Sequence, residues 1–164
     1  MKMIKEIAIY IIIIISVVLF RTFIATPVKV NGTSMMPTLY DKEILILTKN
    51  TNNIKRFDII VLKYGDERLV KRVIGLPGEY IKYVNNQLYV NNELIEEPFS
   101  TTPMHNFDIK SVGYAVVPPN HYFVLGDNRT ASKDSRFFGP ISINDIIGKT
   151  HFRLYPLNKI GFIK

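Results

Sequence analysis

Residues 4–25 of this 164-residue chain form a nearly continuous apolar segment that is rich in isoleucine. A helix needs about 20 apolar residues to cross a bilayer, so the segment predicts a transmembrane helix. A cleavable signal peptide would have a shorter apolar region and a small-x-small cleavage site, and residues 21–26 offer no such site. The sequence therefore favours an uncleaved anchor, residues 1–25, followed by one domain, residues 26–164.

The charges that flank this segment predict its orientation only weakly. Lys2 and Lys5 precede it, while Arg21, which can snorkel, and Lys29 follow it. We expect a single-pass protein of the cell membrane, with a cytoplasmic N-terminus and the domain outside the cytoplasm.

Composition excludes several classes of function. The net charge of +7 is scattered, and no block of five basic residues occurs, which argues against a nucleic-acid partner. A basic domain beside anionic lipid is the simpler interpretation. The chain has no cysteine, so it has no disulfide, thiolate nucleophile or cysteine-based metal site.

Downstream of the anchor, short β-branched runs alternate with turn residues, which is typical of a mainly β domain. The segment 91–112 contains two prolines and reads as a surface excursion, and residues 144–147 indicate a helical turn. Asn85, Asn86 and Gln87 predict a tight hairpin turn. The predicted strands are residues 43–48, 57–62, 68–74, 79–84, 88–90, 114–117 and 122–125.

Ser34 lies in an irregular turn, Gly-Thr-Ser-Met-Met-Pro-Thr, at residues 32–38. Gly32 permits close backbone approach, and Pro37 restricts the local conformation. The pattern suits a nucleophile beside a hydrophobic groove. It suits a strand-to-strand turn with a capping serine equally well.

Lys71 lies between Leu69 and Val73 on one face of a predicted strand. Burial there would lower the pKa of the lysine and allow it to act as a general base near neutral pH. The alternative is an edge-strand lysine whose head group reaches water.

The loop at residues 126–136 contains two aspartates, two arginines and two serines. Asp–Arg pairs can brace such a loop through bidentate contacts. A solvated polar loop is the alternative. The three histidines show no metal-ligand spacing, and Gly-x-Ser-x-Gly is absent, so we expect no metal, no cofactor and no nucleophile elbow.

The motifs Gly-x-Ser-Met-x-Pro-Thr, Lys-Arg-Val-Ile-Gly-x-Pro-Gly and Gly-Asp-Asn-Arg-x-x-Ser-x-Asp-Ser-Arg occur in this order after the anchor. In this arrangement the chain closely resembles the type I signal peptidases, membrane-bound serine proteases that remove signal peptides from secreted proteins. The segment Arg-Phe-Asp-Ile-Ile-Val, residues 56–61, is similar to a further strand of that family. The resemblance implies a barrel-like β catalytic domain on a single transmembrane helix.

The resemblance also implies roles for individual residues. Ser34 aligns with the nucleophile, Lys71 with the general base of this Ser-Lys variant, and Ser132 with a second hydroxyl that holds the lysine. The Ser34 backbone N–H would be one oxyanion donor. Gly32 replaces a serine that provides a second donor in some members, and a glycine there is typical of members from Gram-positive bacteria. The supporting polar network would comprise Asp127, Arg129, Asp134 and Arg136.

The expected substrates are secretory preproteins cut after a small-x-small sequence, with the lipid bilayer and the secretion translocon as further candidate partners. A self-cleaving repressor-type Ser-Lys enzyme would lack the anchor, and a eukaryotic-type signal peptidase would have histidine in place of Lys71. A catalytically silent, anchored β domain that binds preproteins is the alternative from another class. Such a domain is expected to have lost Ser34 or Lys71, and both are present.

Overall fold

The structure, a computed structural model, describes residues 2–23 and 25–163, and the side chains of residues 5–16 and 26–163. Helix α1 (Lys2–Phe23) precedes the first strand, and its side chains from residue 5 to residue 16 are all exposed. Within the described part of the chain, no helix meets the combined length and hydropathy of a membrane span. The anchor therefore stays a prediction. The two predicted domains include residues 1, 24 and 164, which are not among the described residues. The Arg21 side chain is not described either.

Within residues 25–163 the structure has twelve strands and one short α-helix, α2 (Ser135–Phe138), joined by turns and loops. The strands are β1 (Ala25–Lys29), β2 (Ile44–Thr48), β3 (Ile59–Tyr64), β4 (Glu67–Gly75), β5 (Ile81–Val84), β6 (Gln87–Val90), β7 (Glu93–Ile95), β8 (Phe107–Asp108), β9 (His121–Leu125), β10 (Ile141–Ser142), β11 (Ile146–Tyr155) and β12 (Gly161–Phe162).

The strands form two antiparallel sheets. The larger has the order β1-β2-β11-β3-β4-β9-β10, with β12 paired to β11, and the smaller has the order β7-β6-β5-β8. The end strands β1 and β10 do not pair with each other within residues 25–163, so the larger sheet is open. The mainly β fold is thus confirmed, whereas the barrel-like closure is wrong.

Three apolar clusters form the core, and one of them joins the two sheets. Ile74 in β4 and Phe123 in β9 pack there against Ile81 and Leu88 of the smaller sheet. A second cluster buries Met35 and lies under the Ser34 turn, against β1 to β4. These contacts fix the turn and β4 relative to each other.

Most predicted strands are confirmed as β2, β3, β4, β5, β6 and β9. The strand predicted at residues 114–117 is wrong. Among the described residues, that segment makes two backbone hydrogen bonds, both through Val117, to residues 78 and 79, and no strand ladder forms there. The segment 91–112 is not wholly a surface excursion, since it supplies β7, β8 and the buried side chains of Met104 and Ile109.

The predicted helical turn at residues 144–147 is a 3₁₀ turn at Ile143–Asp145, and strand β11 follows it at once. The sequence did not indicate this ten-residue strand. Its ladders to β2 and β3 contain register shifts, and such irregularities break the alternation by which a strand is recognised.

Candidate active site

The turn that carries Ser34 is closed at its base and anchored by burial. Val30 donates its N–H to the Glu43 carbonyl at 2.8 Å, and Lys42 donates to the Val30 carbonyl at 2.9 Å. Met35 and Leu39 are buried in the core beneath the turn, while Ser34 itself stays partly exposed. The turn therefore presents one hydroxyl from a fixed backbone.

Lys71 lies in β4, directly opposite Ile60 of β3, and is only 2% exposed. Its Nζ lies 2.7 Å from Ser34 Oγ and hydrogen-bonds to it. Burial lowers the pKa of Lys71 to about 8, against the opposing effect of the Asp134 carboxylate; the Arg136 charge lowers it further and Asp127 raises it. The neutral amine, in contact with the Ser34 hydroxyl, is therefore far more populated near neutral pH than in an ordinary lysine.

The backbone around Ser34 offers one candidate oxyanion donor. Within the described residues, no protein acceptor receives a hydrogen bond from the Ser34 N–H. The Gly32 N–H is already engaged, because it donates to Asp41 Oδ1 at 2.8 Å. Gly32 thus contributes its left-handed backbone, with φ of 86°, but not a free donor.

Asn128 holds the turn from the opposite side. Its backbone N–H donates to the Ser34 carbonyl at 3.0 Å, and its Nδ2 donates to the Thr33 carbonyl at 3.1 Å. The sequence analysis missed this residue, although its position inside the third motif is a signal that could have found it. The loop at residues 126–136 therefore contacts the Ser34 turn directly.

Ser132 is brought to the same place by that loop. It is buried, and its Oγ forms no hydrogen bond with any described residue, Lys71 included. A side chain at Gly126 would overlap Ser132 Oγ and the Ser34 carbonyl, so only glycine permits this close packing. Ser132 is thus close to the Ser34 backbone, but its hydroxyl does not hold Lys71 in this structure.

Of the four charged residues predicted to support the site, Asp134 and Arg136 pair with each other, whereas Asp127 and Arg129 pair with residues outside this group. Asp134 receives two hydrogen bonds of 2.8 Å from the Arg136 guanidinium, and it also accepts from the Gly126 N–H at 3.1 Å. Asp127, however, pairs with Arg72, at 2.9 and 2.7 Å, and Arg129 pairs with Glu97.

Arg72 and Glu97 are therefore supporting residues that the sequence analysis missed. Arg72 follows Lys71 in the chain, and its buried guanidinium also donates to the Phe57 carbonyl at 3.0 Å. A buried arginine in a strand needs a carboxylate partner, so Arg72 beside apolar strand residues could have indicated a buried ion pair. Nothing in the local sequence around Glu97 indicated its partner.

Two strand segments near the site lie at an end of their strand ladder. Within the described residues, β1 ends the larger sheet beside β2, and residues 67–71 of β4 are in register with β3 but lie outside the β4–β9 register. A cavity of about 250 Å³ lies there, lined by both strands, by β2 and β3, and by Ile147 of β11. The lining residues that β1 and β4 supply are Thr26, Val28 and Arg68.

The histidines take no part in this arrangement. His121 Nδ1 contacts the Pro119 carbonyl at 2.8 Å, and the His151 ring stacks on Phe162. Neither hydrogen-bonds to Ser34 or Lys71.

Comparison with known proteins agrees with this geometry. The family model described as signal peptidase, peptidase S26, matches residues 2–155. A signal peptidase I of Bacillus caldolyticus is 43% identical, over 87% of this chain and 86% of its own length. A signal peptidase I of Streptococcus pneumoniae is 34% identical, over 96% of this chain and 95% of its own length.

A solved structure shows the same likeness. The crystal structure of a signal peptidase I from Enterococcus faecalis is 34% identical and superimposes with a TM-score of 0.54. The match covers 60% of this chain and 97% of that one. Family model, relatives and fold agree, and the chain belongs to the type I signal peptidases, which are serine proteases.

Proposed function

We propose that this protein removes signal peptides from secretory preproteins, with Ser34 as nucleophile and Lys71 as general base. The observation that carries the proposal is the 2.7 Å contact between Ser34 Oγ and the Nζ of a buried lysine. Burial favours the neutral amine, which can accept the hydroxyl proton across that contact.

The reaction then follows the chemistry of a Ser-Lys dyad. Neutral Lys71 takes the Ser34 proton while Oγ attacks the scissile carbonyl, and the Lys71 ammonium donates that proton to the departing amine. Water, activated by the same lysine, hydrolyses the acyl-enzyme and releases the signal peptide. The free Ser34 N–H is the proposed donor to the oxyanion.

Ser132 and the charged residues are proposed to support this dyad. The Ser132 hydroxyl is buried and has no hydrogen-bond partner among the described residues, and such a group is well suited to accept a hydrogen bond from the Lys71 ammonium during the cycle. Asp127, Arg129, Asp134 and Arg136 hold the loop that carries Ser132 against the Ser34 turn.

The position of β1 at the end of the larger sheet, and of residues 67–71 of β4 beyond the β4–β9 register, supports an extended peptide as the substrate. An extended chain can add to a free strand edge through main-chain hydrogen bonds, with pockets for alternate side chains. A cavity of about 250 Å³ between these edges offers space for substrate side chains. The proposed cleavage after a small-x-small sequence rests on the family to which the chain belongs.

The position of Lys71 supports a substrate that emerges from the membrane. One row of paired residues crosses the sheet from the start of β1 to the site, through Ala25, Thr48, Lys149, Ile60 and Lys71. Four strand spacings of about 4.8 Å along the sheet separate Ala25 from Lys71, so the two backbones are at most roughly 19 Å apart.

We also propose that residues 4–25 anchor the chain in the cell membrane, with the N-terminus cytoplasmic and the catalytic domain outside. This proposal rests on the sequence of that segment and on the exposed isoleucines of α1. The lipid bilayer is then a partner, and the secretion translocon is a candidate partner because it delivers such substrates.

The test is cleavage of a preprotein with an Ala-x-Ala site by the full chain in detergent, with mass spectrometry to locate the cut. We expect one cut after the second alanine, and a loss of about 10,000-fold in Ser34→Ala and in Lys71→Ala. Cleavage that survives in Lys71→Ala would exclude the dyad. No cleavage by folded wild type would favour the silent binding domain.

A further inference from the structure

Glu97 connects the smaller sheet to the loop at residues 126–136 through a buried ion pair. Its Oε1 lies 2.5 Å from Nη2 of Arg129, and its Oε2 lies 3.3 Å from Nη1. The Arg129 side chain is fully buried, and that of Glu97 is 12% exposed. Glu97 belongs to none of the three motifs that carry the proposed active site.

Tyr83 completes this contact. Its hydroxyl donates to Glu97 Oε1 at 2.9 Å and accepts from Arg129 Nη1 at 2.9 Å. Burial raises the pKa of Tyr83 well above its ordinary value, so the hydroxyl keeps its proton and its donor role. Two side chains, those of Glu97 and Tyr83, thus fix the Arg129 guanidinium in one orientation.

The same guanidinium reaches the proposed site. Arg129 Nε donates to the Gly126 carbonyl at 3.0 Å, while the Gly126 N–H donates to Asp134. Gly126 is therefore held at both ends, and its Cα packs against Ser132 Oγ and the Ser34 carbonyl. Arg129 therefore bonds directly to the residue that packs against Ser132 and the Ser34 carbonyl.

We propose that Glu97 is a positioning residue for the Ser34–Lys71 site and acts through Arg129 on the peptide of Gly126. The inference rests on the proposed function of that site. Without the Glu97 carboxylate, the Arg129 charge would be buried without compensation and would move toward other acceptors or water. Gly126 would then lose the donor that fixes its carbonyl.

The expected defect is in kcat rather than in KM. Glu97 does not line the cavity between β1 and β4, so its loss leaves peptide binding intact. Displacements of about 1 Å at reacting groups can cost on the order of 100-fold in rate. We expect Glu97→Ala to lower kcat about tenfold or more, with KM within about twofold of wild type.

The test compares full-length Glu97→Gln, Glu97→Ala and wild type on the preprotein, with kcat normalised to the folded fraction. The matched control is Glu96→Gln, because Glu96 is the exposed neighbour and forms no ion pair among the described residues. If Glu97→Ala does not fold, the milder Glu97→Gln decides the outcome. We expect both Glu97 variants to lose kcat and the Glu96 variant to match wild type.

A double variant tests the route through Arg129. If Glu97 acts through that residue, adding Glu97→Gln to Arg129→Lys lowers kcat no further than Arg129→Lys alone. Wild-type kcat in folded Glu97→Gln, or losses that multiply in the double variant, would overturn the proposal. Failure of the proposed function is distinguishable, because wild type itself would then not cleave.

Discussion

The charge state of Lys71 depends on three charged neighbours as well as on burial. Burial and Arg136 lower its pKa, while Asp134 and Asp127 raise it, and the result is about 8. At pH 7 roughly one lysine in ten is then neutral. Because Asp134 and Arg136 also pair with each other, any change in one alters how strongly the other acts on Lys71.

Replacement of Arg136 tests this balance. Arg136→Gln removes a positive charge that lowers the pKa of Lys71 and leaves the Asp134 carboxylate, which raises it, without its partner. Both effects favour the ammonium form, so the midpoint of the rate–pH profile should move upward by about one unit. Lys133→Gln, an exposed neighbour in the same loop, is the control and should leave the midpoint unchanged. A midpoint that falls in Arg136→Gln would contradict the account.

The proposed dyad could be predicted from sequence because its two residues lie inside motifs whose order is distinctive. Their partners could not be predicted in the same way. Arg72 and Glu97 lie 55 and 32 positions from the residues with which they pair. Such contacts depend on how β4, β9 and the segment after β7 fold together, and local sequence patterns do not encode them.

At the scale of elements, the proposed site depends on a contact between two loops. A glycine makes that contact possible. The turn at residues 31–39 and the loop at residues 126–136 meet where Gly126 lies against Ser132 and the Ser34 carbonyl. Asn128 bonds to two carbonyls of the turn and holds the loops in register.

Gly126→Ala should therefore separate the loops. The added methyl group has no space, so we expect kcat on the preprotein to fall about tenfold or more in the folded variant. Gly113→Ala is the control, because Gly113 has φ of 88° and a methyl group there meets no neighbour. That variant should lose about 1 kcal/mol of stability while each folded molecule keeps its activity. Equal activity of the two variants would refute the close-packing argument.

Elements were predictable where hydrophobic alternation is regular, as in β2 and β5. They were not where bulges interrupt the pattern, as in β11, or where an apolar run is followed by prolines, as at residues 114–117. The sequence also did not predict that the larger sheet is open, since it does not show whether the two end strands pair with each other.

At the scale of the whole molecule, the hairpin β11–β12 and its connecting turn expose apolar side chains. Leu157 and Phe162 are 76% and 75% exposed, and Tyr155 and Ile160 are about half exposed. Lys159 lies over the ring of Tyr40 beside them. Aromatic and aliphatic groups with a basic neighbour are typical of surfaces at a membrane interface.

A single tryptophan tests that placement, because the chain has none of its own. Leu157→Trp, reconstituted as the full chain in bilayers, should be quenched by lipids brominated near the interface. Phe137→Trp is the matched control, since Phe137 is 71% exposed but lies on α2. It should not be quenched. Equal quenching of both variants, or of neither, would contradict a membrane contact through the hairpin.

The most direct test of the central claim is the dependence of kcat/KM on pH for the wild-type full chain with a preprotein. If neutral Lys71 is the base, kcat/KM should rise about tenfold per unit below a midpoint near pH 8 and level off above it. The direction follows from the chemistry, because the ammonium form that dominates at lower pH cannot accept the Ser34 proton. A rate that is constant between pH 6 and about pH 9 would show that Lys71 is not the base.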